Sequence, residues 1–138
     1  MNEITLTYQG TVTAKKNSKQ IIFNRRTHRP MLISNHRAKK QEGDMALEFL
    51  LQAKDNRWYI GRDRENRAYH ITMKIWNKDR RRRDLDNQAT AILDALTNAQ
   101  VIPDDSVEYV PMLNVEYMGI DRENPRAEVK IKEIVWMV

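Results

Sequence analysis

In the stretch Asp79-Arg80-Arg81-Arg82-Arg83-Asp84-Leu85-Asp86-Asn87, four consecutive arginines run into an Asp-x-Asp pair, and Pro103-Asp104-Asp105 follows one helix length later. Guanidinium groups match phosphate, and converging carboxylates suit a hard divalent cation. Mg2+ takes one or two direct carboxylates and fills its other positions with water and substrate phosphate, so three or four aspartates suffice. Carboxylates brought together without a cation repel, and some would have to protonate. A bound Mg2+ removes that cost, polarises a phosphoryl oxygen and makes hydroxide available near neutral pH. Each part also has an ordinary role. An Asp where a strand meets a helix caps the first turn, and Asp-Asp after Pro makes a turn. It is the combination that reads as a metal-dependent nuclease.

These residues need elements to position them. Tyr69, Ile71, Met73 and Ile75 alternate with His70, Thr72, Lys74 and Trp76, which predicts a strand delivering the chain into the arginine block. From Leu85 the period changes, and Leu85, Ala89, Ile92, Leu93 and Leu96 share one helical face, with an end expected near Gln100. If the neighbouring strand is antiparallel, the loop after this helix returns near Asp84 and Asp86. Upstream, residues 3–9 read as a half-buried strand, Gln20 to Phe23 as a short one, and 24–30 as a basic irregular stretch. A helix is expected over 36–54 and a charged loop over 55–67. Downstream, a period-2 pattern runs from Val107 to Tyr117, with Pro111 marking an edge strand or bulge, and Ala127, Val129 and Ile131 form a returning strand. The expected fold is a single small α/β (α+β) domain spanning 1–138. It has a mixed β-sheet and two main helices in the order β(β)-α-β-α-β-β.

The balance of 24 Lys+Arg against 19 Asp+Glu gives a net charge of +5, which favours polyanionic partners. Cysteine is absent, excluding disulfides, thiolate metal sites and cysteine nucleophiles. The first residues lack the apolar core of a signal peptide and no run approaches a membrane span, so a cytoplasmic protein without membrane contact is expected.

The arginine block with Asp84-Leu85-Asp86-Asn87, then Ile92-Leu93-Asp94-Ala95-Leu96-Thr97 and Asp104-Asp105, closely resembles the RusA family of Holliday-junction resolvases. The clear match covers about residues 74–113, with Lys15-Lys16-Asn17-Ser18 similar to the family's basic N-terminal loop. The resemblance implies a homodimeric, Mg2+-dependent endonuclease that cuts four-way DNA junctions in recombination and repair, often carried by prophages. By position its essential acidic residues fall on Asp84, Asp86 and Asp105, as catalytic residues and metal ligands. One place departs from the pattern: where the family commonly has a lysine, one turn beyond Asp86, this chain has Thr90.

Alternate residues of an extended chain point to opposite sides, so two of Arg80, Arg81, Arg82 and Arg83 are expected to line a DNA channel. The others would contact flanking phosphate or acidic side chains. Lys15, Lys16, Arg25 and Arg26 would extend the DNA surface, as would Lys19 and Arg29. His28, His36 and His70 show no ligand spacing. His70 reads as packed or hydrogen-bonded, and Trp58 and Tyr59 as core aromatics ahead of base-stacking ones. The competing reading is a non-catalytic protein that binds branched DNA.

Overall fold

Period-2 patterning sets three strands whose alternate residues share one core. β1 (Glu3–Gln9) buries Ile4, Leu6 and Tyr8, β4 (Arg67–Asn77) buries Ile71, Met73 and Ile75, and β6 (Arg126–Val135) buries Ala127, Val129 and Ile131. Between β1 and β4 come β2 (Lys19–Asn24), β3 (Arg29–Ser34) and α1 (His36–Asp55); α2 (Leu85–Asn98) and β5 (Met112–Ile120) lie between β4 and β6. The computed structural model describes residues 2–13, 19–34, 36–58 and 67–135.

Among the described residues the main sheet has the order β1-β6-β4-β5, antiparallel at β1/β6 and β6/β4 and parallel at β4/β5. Met45 and Phe49 of α1 and Ile92 and Leu96 of α2 join the buried strand residues in one cluster, so both helices cover one face. The other face carries Thr5, Lys74, Lys130 and Lys132, all exposed. The architecture is a small single-domain α+β fold with a mixed sheet, as expected.

Three expectations change. The basic stretch 24–30 is not wholly irregular: residues 25–28 turn, and β3 then pairs antiparallel with β2 in a separate two-stranded sheet. Pro30 sits opposite Phe23 in that ribbon, where a missing N–H interrupts no larger ladder. The pattern from Val107 is a strand only from Met112. Residues 106–110 form a turn in which the Ser106 carbonyl accepts from the N–H groups of Tyr109 and Val110. β5 is an edge strand, as Pro111 indicated.

The third change concerns direction. α2 carries the chain back along β4, about 1.5 Å per residue over its 14 residues. The next strand therefore starts level with the beginning of β4 and runs parallel to it, with His70 beside Met112 and Asn77 beside Ile120. The antiparallel neighbour that would return the loop to Asp84 and Asp86 is not there.

Candidate functional site

The end of β4 is fixed by buried polar groups. Gln88 lies on the apolar face of α2, fully buried, and its Nε2 donates to the Val12 carbonyl (3.0 Å) and to Asn77 Oδ1 (2.8 Å). The Asn77 carbonyl accepts from Asp121 N–H (2.9 Å), and Thr11 Oγ1 accepts from Lys78 N–H (2.9 Å). Gln41 of α1 holds the same N-terminal segment, donating to the Thr11 carbonyl (2.7 Å) and accepting from Thr13 N–H. Beside it, the Arg126 guanidinium stacks on the Trp76 ring at 3.8 Å and pairs with Asp121 and Glu128. Strand end, helix start and the segment 11–13 are thus locked together. Gln88 and Asn77 escaped the sequence reading, although a glutamine three residues after Leu85 on the apolar stripe was a visible signal.

On this base stands the loop with the carboxylates. Asp84 is the N-cap of α2 in extended conformation, and its carbonyl accepts the first helical bond from Gln88 N–H (3.1 Å). Its side chain makes no capping hydrogen bond. That carboxylate stays half exposed, 3.7 Å from Arg82 Nε and 3.4 Å from Asn87 Nδ2, which donates to it. Asp86 is exposed in the first turn, and among the described residues its carboxylate has no partner. The ordinary capping role therefore does not account for either carboxylate. Thr90 is exposed, its hydroxyl donating back to the Asp86 carbonyl (3.0 Å), and it supplies no cation.

The four arginines divide. Arg83 folds back: its Nη1 donates to Asp79 Oδ1 at 2.8 Å and to the Arg81 carbonyl at 3.2 Å, leaving the side chain 11% exposed. This hydrogen bond, together with one from Arg81 N–H, holds the Asp79 carboxyl below its usual range. Arg83 is thus a brace of the loop, an arginine on an acidic side chain as expected of part of the run. Arg80, Arg81 and Arg82 are exposed, with the Arg82 side chain 93% so. Residues 79–83 line a cleft of about 320 Å³ with Asn77, Leu85, Gln88 and Tyr117.

Asp105 stands elsewhere. It precedes the 106–110 turn, and Tyr69 N–H donates to the Tyr109 carbonyl (2.7 Å), which fixes that turn at the start of β4. From His70 to Asn77 the strand runs roughly 23 Å. Asp104 and Asp105 are both exposed there, and among the described residues no three carboxylate or histidine side chains gather as a metal group. One chain brings together Asp84, Asp86 and the arginines, and leaves Asp105 at the opposite end of the sheet.

The other predicted residues fall as follows. Arg25 and Arg26 are exposed at the β2–β3 turn, which Asn24 Oδ1 organises by accepting from Arg26 N–H (2.9 Å). Arg29 is exposed at the start of β3. His28 shares that turn, its ring 6.1 Å from Phe23. Lys15, Lys16 and Tyr59 lie outside the described residues. Trp58 is core, with Nε1 donating to the Val101 carbonyl at 3.0 Å. His70 is half-buried, and its Nε2 has no hydrogen-bond partner among the described residues, so packing holds it.

This small α+β domain ends one strand in an arginine loop and opens the next helix with two aspartates whose side chains make no capping bond, so phosphate-binding groups stand beside hard oxygen donors. Residues 5–132 match the family model described as Endodeoxyribonuclease RusA, and the chain belongs to that family of Holliday-junction nucleases. Among curated proteins none matches the chain. Among the described residues no helix is long and apolar enough to cross a membrane.

Proposed function

We propose that this protein is a Mg2+-dependent endonuclease that resolves four-way DNA junctions as a homodimer. The observation that carries the reading is the pair Asp84 and Asp86, unspent in capping and set beside exposed arginines in a RusA-family chain. Two hard oxygen donors at a cluster of phosphate-binding groups fit Mg2+, which fills its coordination from few carboxylates, water and substrate phosphate. When bound, Mg2+ would neutralise charge on the scissile phosphate and make hydroxide available near neutral pH. Asp84 and Asp86 would hold it. Arg80, Arg81 and Arg82 would clamp the flanking phosphates, and Arg83 would keep the loop in shape. Asp105 joins such a site only from a second chain, and a junction of near two-fold symmetry presents two strands to a two-fold protein.

A non-catalytic junction-binding protein is the second reading, favoured by the separation of Asp105 from the pair and by threonine at position 90. Cleavage of a synthetic four-way junction separates the two. Paired nicks that need Mg2+, lost in Asp86→Asn with junction binding retained, support the nuclease. Metal-independent binding with both strands intact supports the binder, whereas an Asp86→Asn protein that cuts as well as the parent removes Asp86 from the metal site.

A further inference from the structure

The cleft beside the arginine loop has a polar floor that metal binding does not use. Two of its lining residues are neutral amides, Asn77 and Gln88, 6% and 1% exposed. Hydrogen bonding fixes which way each amide faces. The Val12 carbonyl only accepts, so Gln88 presents Nε2 to it. The same Nε2 donates to Asn77, which answers with Oδ1. Gln88 Oε1, an acceptor, and Asn77 Nδ2, a donor, are left over, and neither has a partner among the described residues. Nor is either sealed in the core: among the described residues the fully buried side-chain nitrogen or oxygen without a partner is His70 Nε2. Both amides thus keep one free atom open to the cleft they line. Unpaired polar atoms this deep are a cost that a purely structural network avoids and that a ligand offsets. Leu85 and the half-exposed ring of Tyr117 stand over this floor, and the exposed arginines form the rim.

We propose that this cleft receives one unpaired base of the bound DNA strand, and that Asn77 and Gln88 select which base it takes. Every base carries a donor next to an acceptor on its Watson–Crick edge, the complement of Oε1 and Nδ2, and a flat face to lie against Tyr117. Adenine and cytosine present the two in one order, guanine and thymine in the reverse, so a fixed donor–acceptor pair tells the two classes apart. The arginine rim has no such discrimination, because phosphate contacts position a strand and base contacts specify it. At about 320 Å³ the cleft is small among ligand pockets, which run roughly 300–1,000 Å³, and it suits one base rather than a pair. In duplex DNA that edge is already occupied by the partner base. A branch point, where pairing is easily lost, presents it free, so the same pocket favours branched over duplex DNA. The proposal rests on a junction strand lying along the arginine loop, and it holds whether or not that strand is cut.

Binding without divalent metal tests it. Synthetic four-way junctions carrying one abasic site at successive positions around the branch are titrated by fluorescence anisotropy. The parent should lose about tenfold in affinity at one position per strand and little at its neighbours. With each of the four bases at that position, it should separate adenine and cytosine from guanine and thymine by about tenfold. Asn77→Asp keeps an oxygen for Gln88 Nε2 and turns the free donor into an acceptor, so this separation should vanish. Tyr117→Leu, apolar but without a ring, should bind intact and abasic junctions nearly alike. A flat abasic scan by a parent that binds the junction, equal affinity for all four bases, or an Asn77→Asp protein weakened equally for every base overturns the pocket. Mg2+-dependent cutting by that same parent would leave the nuclease reading standing. A single abasic-sensitive position in a protein that never cuts keeps the pocket and removes the nuclease reading, and a parent that binds no junction overturns both.

Discussion

Gln88→Leu tests whether buried polar groups, and not the helix alone, hold the site together. The glutamine is 1% exposed and gives its amide N–H groups to the Val12 carbonyl and Asn77 Oδ1. Leucine has nearly the same volume, so no cavity complicates the result. Two buried acceptors lose their donor, at about 1–3 kcal/mol each, and the added apolar burial returns roughly 1 kcal/mol. The net cost is about 1–5 kcal/mol. A chain of 138 residues has an unfolding entropy of about 0.3 kcal/mol/K, which converts that cost to a melting temperature about 3–17 °C lower. Calorimetry of the two proteins at one pH and salt measures it. If the shift is under about 3 °C, the acceptors find water or other partners on their own, and the network is not what fixes the end of β4 to α2.

Other substitutions sort the loop and the edge of α1. Arg80→Ala and Arg82→Ala should each lower the slope of log affinity against log salt for duplex DNA by about 0.9, measured by fluorescence anisotropy. Arg83→Ala should leave that slope unchanged and lower the melting temperature, because its charge is already spent on Asp79. Burial, aided by Asp44, raises the Glu48 carboxyl above its ordinary value, while the bond from Gln9 N–H pulls the other way. The folded state thus binds this proton more tightly than the unfolded chain, so ionising Glu48 costs stability above its folded pKa. Glu48→Gln should therefore melt higher than the parent at pH 7. The difference should vanish below the ordinary value of 4.5, as both proteins are then neutral at this position.

Much of the candidate site was legible because it is local. Alternation from Tyr69 to Ile75 and the change of period at Leu85 placed Asp84 and Asp86 at a strand-to-helix junction with no knowledge of the rest of the chain. What the sequence did not disclose is whether their side chains are used in capping, since Asp is an ordinary N-cap whether or not its carboxylate bonds. The place of Asp105 depends on the direction of β5, a property of the crossover and not of residues 103–113. A strand, a helix packed back along it and a further strand in the same sheet make a parallel unit, and that rule was available. β3 was hidden by Arg29 and Pro30, which read as loop residues; in a two-stranded ribbon neither carries a penalty. Arg83 was inseparable from its three neighbours by type, and only its bond to Asp79 marks it as a brace.

The central claim is a nuclease site shared between two chains, and subunit mixing tests it most directly. Asp86→Asn and Asp105→Asn proteins are each expected to bind a four-way junction and not cut it. Denatured together and refolded, they should form mixed dimers in which one site has Asp84 and Asp86 from one chain and Asp105 from the other, all intact. Random pairing leaves about a quarter of all sites complete, so Mg2+ should restore nicking of one strand per junction at roughly a quarter of the parent's level. If the mixture stays as inert as its components while the parent protein cuts, the site is not shared and the account fails.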